Sequence, residues 1–514
     1  SVKLPSVVVE QIDLKTHGIL QEKIWKYPGF YLQDKSQRAY QTQAAANVLG
    51  YVSEVNTSDL KKDAYYQMGE LIGRQGIEKY YEKYLRGTKG KVYYQKDKFN
   101  RIIGDYQDGQ NNLEVTQAND IYLTLDIDLQ AYGEQLFQNK RGGVVAIEPA
   151  TGEVLALVTA PSFDPQLLVG RSRSENFRVL RNDTVAKPLF DRGLQAQYAP
   201  GSPFKTLNAL IALQENTLSP KTLFRCDGGH YYAKGAFMEC HCRVGTRNNL
   251  LSAIYNSCNT YFSYTYRRII EAYPTPQEGI NQWKKHLNSF GLGNYLGYDL
   301  PIGQPGYIPD ASLYDRVYGE RGWKAPTIIS NAIGQGEILT TPMQMANFTA
   351  AIANRGFYVK PHFMKSISGE PQLLEYEKKW TTVDSIHFET VIEGMHKVVE
   401  QGTARVARIK DIEVCGKTGT VENFILLDGQ KTQLTDHSMF IAFAPKDNPK
   451  IALAVFVENG YWGARWAAPI ASLMIEKYLN KTVKRSWLEQ RMLNGSLEAE
   501  YQKPYSGVPF KINE

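Results

Sequence analysis

Ala199-Pro200-Gly201-Ser202-Pro203-Phe204-Lys205-Thr206 runs straight into an apolar stretch at 207–213, and the reading of the chain turns on this junction. Pro200, Gly201 and Pro203 are turn and first-turn residues, while Leu207, Leu210, Ile211 and Leu213 share one helical face. The spacing predicts a helix that begins beside Ser202 and carries Lys205 one turn on. Residues three apart on a helix can touch. A serine hydroxyl becomes a useful nucleophile when a neighbour takes its proton, and a lysine does so only when it is held neutral. Moving a lysine from about 10.4 to roughly 7 or 8 takes burial and nearby positive charge amounting to about 3–5 kcal/mol. The helix N-terminus adds partial positive charge where an oxyanion would form.

Ser-x-x-Lys alone is a weak signal, because Ser58-Asp59-Leu60-Lys61 matches it in a polar stretch that carries no other chemistry. Its companions decide. Ser257-Cys258-Asn259 lies in a segment at 250–268 with helical periodicity, and Lys417-Thr418-Gly419, which occurs once, lies in a strand-like segment at 413–421. Ser174-Glu175-Asn176 also fits the second pattern but precedes Ser202. Taken singly, Ser257 and Asn259 read as capping or solvent residues and Lys-Thr-Gly as a strand end. Serine-lysine, serine-asparagine and lysine-threonine-glycine in this order, on a helix start, a helix and a strand, overturn those readings together.

With 514 residues the chain is long for one domain and suits about three units. Its 43% hydrophobic and 22% charged residues supply a large core. The net charge of +6 is mild and no dense basic cluster with interleaved aromatics occurs, which disfavours nucleic-acid binding. No apolar run nears the roughly 18 residues of a membrane span. The chain opens at Ser1 in what reads as a linker, the expectation for a mature or trimmed ectodomain.

Residues 1–120 read as an N-terminal pedestal or interaction domain: strand-like alternation at 48–52, helical periodicity at 65–85, and nothing catalytic. A second unit, 121–480, opens with a strand at 121–125 and a helix capped by Asp126. A hairpin follows at 142–158, then the serine-bearing helix, and a helix opened by Thr341-Pro342. Two strands at 439–444 and 451–457 and an apolar helix at 464–478 close the unit. The expected class is α+β, an antiparallel sheet sandwiched by helices. A short helical piece and polar tail at 481–514 complete the chain.

The three motifs are those of the penicillin-recognising serine enzymes, and nearly the whole chain resembles the class B penicillin-binding proteins, within them the elongation-specific group. Tyr66-Gln67-Met68-Gly69-Glu70-Leu71-Ile72-Gly73 through Gly90 is similar to the family's pedestal. Ile333-Gly334-Gln335-Gly336, Thr341-Pro342-Met343-Gln344-Met345-Ala346 and Asp436-His437-Ser438 resemble its transpeptidase domain. No glutamate-rich glycosyltransferase motif precedes the second unit, and no Glu-x-x-Leu-Asn separates Asn259 from Lys417, which speaks against bifunctional class A proteins and class A β-lactamases.

The resemblance implies a D,D-transpeptidase that needs no cofactor. Ser202 would be the nucleophile, Lys205 its base, Ser257 the proton relay, Asn259 a holder of Lys205 and substrate, and Lys417 an electrostatic neighbour. Thr418, Gly419 and Thr420 would bind substrate, with the Ser202 and Thr420 amides as oxyanion hole. Expected partners are peptidoglycan stem peptides, β-lactams, a membrane glycosyltransferase and scaffold proteins of the elongation complex. The expected location is the periplasmic face of the inner membrane behind an N-terminal anchor. A D,D-carboxypeptidase or penicillin sensor would share the site, and a silent wall-binding scaffold is the rival from another class.

Between the first two motifs lie Cys226, Asp227, His230, Cys240, His241 and Cys242. Three readings stay open. Cys226, His230, Cys240 and His241 hold a structural zinc, Cys226 forms a disulfide with Cys240 or Cys242, or the thiols are free.

Overall fold

The computed structural model of the chain describes residues 6–9, 12–33, 37–368, 370–371, 377–427 and 430–503, so the end of the expected polar tail lies outside the described residues. The chain divides into two compact units, Ser1–Lys83 with Ser162–Leu189, and Tyr84–Pro161 with Phe190–Glu514. The segment at 84–120 thus clusters with the second unit, and 162–189 with the first.

In the first unit, the stretch expected as a strand at 48–52 is the end of a short helix, Ala46–Leu49, followed by a strand, Val52–Glu54. Gly50 between them has φ 79°, and a Cβ there would stand 1.8 Å from the Gln75 carbonyl oxygen, so glycine is obligatory. The helix expected at 65–85 forms only in its second half: 65–70 is turn, Leu71–Gly73 is a strand antiparallel to Val52–Glu54, with Ser53 opposite Ile72, and helix appears only at Gly76–Tyr80 and Glu82–Leu85. The helical spacing of its apolar residues is overridden by backbone turns at Gly69 and Gly76, both with positive φ.

The second unit is built on α1 (Ile127–Leu136), β1 (Gly142–Ile147), β2 (Val154–Ala160), α2 (Phe204–Gln214), α3 (Leu250–Tyr255) and α4 (Asn259–Glu271). α5 (Pro342–Ala353), α6 (Phe388–Glu400), β3 (Cys415–Val421), β4 (His437–Ala444), β5 (Ile451–Val457) and α7 (Ala467–Asn480) follow. The strands form one antiparallel sheet in the order β3-β4-β5-β1-β2, leaving β3 at an edge. Val144 of β1 stands opposite both Val158 of β2 and Val455 of β5, so the early hairpin is zipped to the last strand.

β1, β2 and β5 are buried on both faces, and β1 and β5 therefore read as unbroken apolar runs, while β2 is broken only by Thr159, whose hydroxyl donates to Asp191 Oδ1 at 3.1 Å. Asp126 caps α1 by accepting the Leu129 amide at 3.0 Å, and α1 lies so close to β2 and α7 that a Cβ on Gly133 would meet Val158 and Met474. α5 and α6 also pack on the sheet. Each Val, Leu or Ile buried here contributes about 1.5–3 kcal/mol, so the sheet and its helices hold the unit together and edge strand β3 is left free for other work. The α+β architecture, helices around an antiparallel sheet, is the one expected.

α2 is buried from Phe204 to Leu213. Its buried amide, Asn208, is satisfied: Trp283 Nε1 donates to its oxygen at 2.8 Å, and it donates to the Asn331 and Ala332 carbonyls. The helix expected across 250–268 is broken in two. Ser257, between α3 and α4, has φ 55°, a left-handed conformation that turns the chain and aims the motif inward.

Candidate active site

Ser202 stands in a tight turn immediately before α2. The Phe204 amide bonds the Gly201 carbonyl at 3.0 Å and the Lys205 amide bonds the Ser202 carbonyl at 3.1 Å, so the serine enters the helix through a single tightened turn. The turn is fixed from two sides: the Gly201 amide donates to the Gly334 carbonyl at 2.8 Å, and upstream the Tyr198 ring stacks on Phe456 of β5. Tyr198 also donates to the Glu458 carboxylate at 2.8 Å, which Arg192 pairs at 3.1 Å. Ser202 itself is half-buried.

Lys205, fully buried, points from α2 into the break between α3 and α4. Its Nζ lies 2.8 Å from the Ser257 carbonyl oxygen, 2.5 Å from Asn259 Oδ1 and 3.2 Å from Ser257 Oγ. Lys417, also fully buried, reaches from β3 to the same hydroxyl, with Nζ at 2.8 Å from Ser257 Oγ. One hydroxyl thus spans two amines. Burial brings Lys205 down to about 8, and Lys417 is pushed well below the usual lysine value by burial and by Lys205 beside it. Two of the three oxygens round Lys205 are pure acceptors, so a neutral amine spends both N–H bonds on them and keeps its lone pair for an incoming proton.

On β3 side chains alternate, with Lys417 and Gly419 on one side and Thr418 and Thr420 on the other. Gly419 is packed so tightly against the serine turn that a Cβ there would stand 2.7 Å from Pro203 Cδ. Thr420 is exposed at the open edge, and its carbonyl accepts Gln335 Nε2 at 3.2 Å. All five expected catalytic residues, Ser202, Lys205, Ser257, Asn259 and Lys417, and the strand residues Thr418, Gly419 and Thr420 are therefore brought to one place.

The cysteine cluster differs from the expectation. All five cysteines are free, so the expected Cys226 disulfide to Cys240 or Cys242 is absent, and the group that converges is Cys226, Cys240, Cys242 and Cys258, with all four sulfurs within 4.8 Å of one another. His230 and His241 are not members. His230 sits on the hairpin Gly229–Ala233/Ala236–Glu239 with Nε2 2.9 Å from Ser263 Oγ, and His241 is exposed. The fourth thiol, Cys258, comes from inside the serine-asparagine motif. The cluster also grips the motif: the Asn259 amide donates to Cys240 Sγ at 3.2 Å, Asn259 Nδ2 donates to the Glu239 carbonyl at 2.8 Å, and the Tyr261 amide donates to Cys258 Sγ at 3.4 Å.

Two residues of the cleft went unread in the sequence. Gln335 was visible only as part of a resembling Gly-Gln-Gly segment. Thr403, whose Oγ1 is 2.7 Å from Thr418 Oγ1, had no motif to mark it.

The penicillin-binding protein transpeptidase domain family matches residues 142–476, and the penicillin-binding protein dimerisation domain family matches residues 2–123. Peptidoglycan D,D-transpeptidase MrdA of Acinetobacter baumannii is 32% identical over 503 residues, covering 93% of this chain and 72% of the relative. MrdA of Escherichia coli K12 is 30% identical over 461 residues, covering 85% and 70%. Among solved structures, Helicobacter pylori PBP2 in complex with MreC superposes with a TM-score of 0.79 at 27% identity over 92% of this chain and 84% of that one. Pseudomonas aeruginosa PBP2 in complex with WCK 5153 gives 0.71 at 29%, over 92% and 96%. Domain content, relatives and site geometry agree, and the chain belongs to the class B penicillin-binding proteins, in their PBP2 group.

Proposed function

We propose that the chain is a peptidoglycan D,D-transpeptidase of cell-wall elongation in which Ser202 carries the acyl group, and that β-lactams acylate the same serine. The observation that carries the assignment of roles is the Ser257 hydroxyl bridging two buried amines beside the helix that Ser202 opens. Lys205 takes the Ser202 proton as Oγ attacks the carbonyl of the penultimate D-alanine. Ser257 passes a proton to the departing amine, the amide bond breaks, and terminal D-alanine leaves. An amine of a second stem peptide then attacks the ester and the proton path runs in reverse, restoring Ser202. Asn259 anchors Lys205, and Lys417 discourages a second positive charge beside it.

The Thr420 carbonyl is met by Gln335 at the open edge, and in an antiparallel strand the N–H of the same residue points the same way. That supports the Thr420 and Ser202 amides as the oxyanion hole, where one donor is worth roughly 10²–10³ in rate. Treating the protein with a penicillin is expected to add the mass of one penicilloyl group, mapped to the peptide containing Ser202. A donor peptide with an amine acceptor is expected to give cross-linked product in excess of free acid. Free acid alone would place the chain among carboxypeptidases, and no adduct at all would leave only a scaffold.

The first 120 residues serve in this reading as an interaction domain, 121–480 as the transpeptidase domain and 481–514 as a C-terminal helical piece and tail. The enzyme works on the periplasmic side of the inner membrane with a membrane glycosyltransferase and scaffold proteins. Among the described residues no helix is long and apolar enough to cross a membrane. A complex with MreC is known of the Helicobacter pylori protein, and the equivalent surface here is its proposed counterpart.

The thiol cluster fits a structural zinc. A tetrahedral Zn–S₄ centre with bonds of about 2.3 Å sets its sulfurs roughly 3.8 Å apart, and Cys240 and Cys258 stand at 3.8 Å. The neighbouring thiols Cys242 and Cys258 pull the Cys240 thiol down and are themselves pushed up, so the four sulfurs share few ionised forms until a cation balances them. Cys226, Cys240, Cys242 and Cys258 would hold the ion, which supplies no chemistry to the substrate and fixes the Ser257–Asn259 turn. Elemental analysis of protein purified without a histidine tag should find one zinc per chain, and stripping it should lower the thermal midpoint by roughly 5 °C or more. Five freely titrating thiols in native, metal-free protein would contradict the assignment.

A further inference from the structure

Thr403 follows α6 in a turn whose position is fixed by backbone contacts. The Gln401 and Gly402 amides both donate to the Lys397 carbonyl, at 3.0 and 2.9 Å, and the Ala404 amide donates to the Val398 carbonyl at 2.9 Å. Gly402 is wedged against the end of α3: a Cβ there would lie 2.6 Å from the Tyr255 carbonyl oxygen and 2.8 Å from Val398 Cα. Tyr255 is two residues before Ser257, so the turn is held between the proton-relay loop on one side and β3 on the other. Its position against α6 and the end of α3 is set by main-chain packing and not by the Thr403 side chain.

Thr403 is exposed, whereas Thr418, only 9% exposed, lies beneath it with the two hydroxyls 2.7 Å apart. Each hydroxyl carries one hydrogen. One hydrogen is spent between the pair, which leaves one O–H free to donate outward at the mouth of the cleft. Thr420, on the same side of β3 as Thr418, adds another exposed hydroxyl. Behind them stand two lysines, and among the described residues no carboxylate forms an ion pair with either Lys205 or Lys417. With Lys205 neutral as the base, the pair carries at most one positive charge; that charge has no carboxylate partner, and faced with hydroxyl donors it suits an anion.

We propose that Thr403 is a substrate-binding residue, a third hydroxyl that with Thr418 and Thr420 receives the terminal carboxylate of the donor peptide and the corresponding carboxylate of a β-lactam. The inference rests on the transpeptidase reading above, in which the donor ends in D-alanine and so brings one carboxylate to this end of the cleft. Thr418 binds the anion better with Thr403 present, because the mutual hydrogen bond orients both hydroxyls before the ligand arrives.

The test compares acylation of the wild-type chain, Thr403→Val and Thr403→Ser by a penicillin and by its methyl ester, which lacks the anion. Hydrogen bonds to a charged group set the scale: Thr403→Val should slow acylation by the free acid roughly 10- to 100-fold and acylation by the ester less than about 3-fold. Thr403→Ser, which keeps the hydroxyl, should return the free-acid rate to within a few-fold of wild type. Because Thr403 is exposed and its turn is held by backbone bonds, the thermal midpoint should not move. Equal slowing of acid and ester, or no slowing of either, overturns the proposal. The adduct mass keeps the two readings apart: Thr403→Val at saturating penicillin should still carry one penicilloyl group on the Ser202 peptide, and a wild-type chain that forms no adduct defeats the transpeptidase reading and this proposal with it.

Discussion

Lys205→Arg slows acylation of Ser202 by penicillin roughly 10²- to 10⁴-fold, the range that a positioned general base contributes. Arginine keeps the positive charge and most of the stem but stays protonated at any working pH, so it cannot accept the serine proton. Lys205→Met, which keeps the stem and loses the amine, falls equally far, and that agreement separates loss of a base from loss of a charge. The wild-type pH profile carries the same information. Burial lowers Lys205 to about 8, so the neutral, competent form is the minority below that pH and the majority above it. The acylation rate therefore climbs about tenfold per pH unit up to about 8 and then levels, and both variants lose the climb. A wild-type rate that is flat from pH 6 to 9 would show that Lys205 is not the base.

Gly419→Ala costs about 10²-fold or more in the same rate. The added methyl group would meet Pro203 Cδ at 2.7 Å and Met439 Cβ at 3.3 Å, and neither can yield: the proline ring is rigid and adjoins Ser202, while Met439 is the ladder partner of Gly419 on β4. The strain is relieved by spreading the serine turn away from β3, and displacement by about 1 Å of a group that must meet a carbonyl costs on the order of 100-fold. Gly133→Ala is the comparison, since its methyl group would press on Val158 and Met474 far from the cleft. Both substitutions overpack by about 1–3 kcal/mol and lower the thermal midpoint, but only Gly419→Ala should slow acylation. Equal rates for the two variants would mean that the closeness of Pro203 and Gly419 has no bearing on the chemistry.

The fold was legible where pattern and packing demand the same thing. β1 and β5 are apolar without interruption, and β2 but for Thr159, because both their faces are covered, and Asp126 and Thr341 announce helices that they do cap. The motifs were legible by order and by the type of element each occupies. Ser257 was not, because the sequence at 250–268 has helical periodicity throughout and nothing in Asn256-Ser257-Cys258 signals a left-handed residue. The break matters, since it lets the Ser257 carbonyl and hydroxyl both turn toward Lys205. The metal set failed for a different reason. Proximity in sequence put His230 and His241 with the thiols, but His230 pairs with Met238 across a hairpin and bonds Ser263, while Cys258 joins from 16 residues beyond Cys242 through the fold alone. In the first unit, glycines at 50 and 76 override the periodicity of their neighbours because other backbone occupies the space a side chain would need.

The pairing of β1 with β5 has a consequence for how the protein is made. β1 ends at residue 147 and its partner strand ends at residue 457, so on a chain synthesised at about 5–20 residues per second the early hairpin waits roughly 15 to 60 seconds for its mate. Throughout that interval one rim of β1, destined for the middle of a sheet, offers unpaired amides and carbonyls flanked by valine and isoleucine, the kind of surface that captures other nascent chains. The central sheet therefore cannot close around residues 142–147 until the carboxyl-terminal strands emerge.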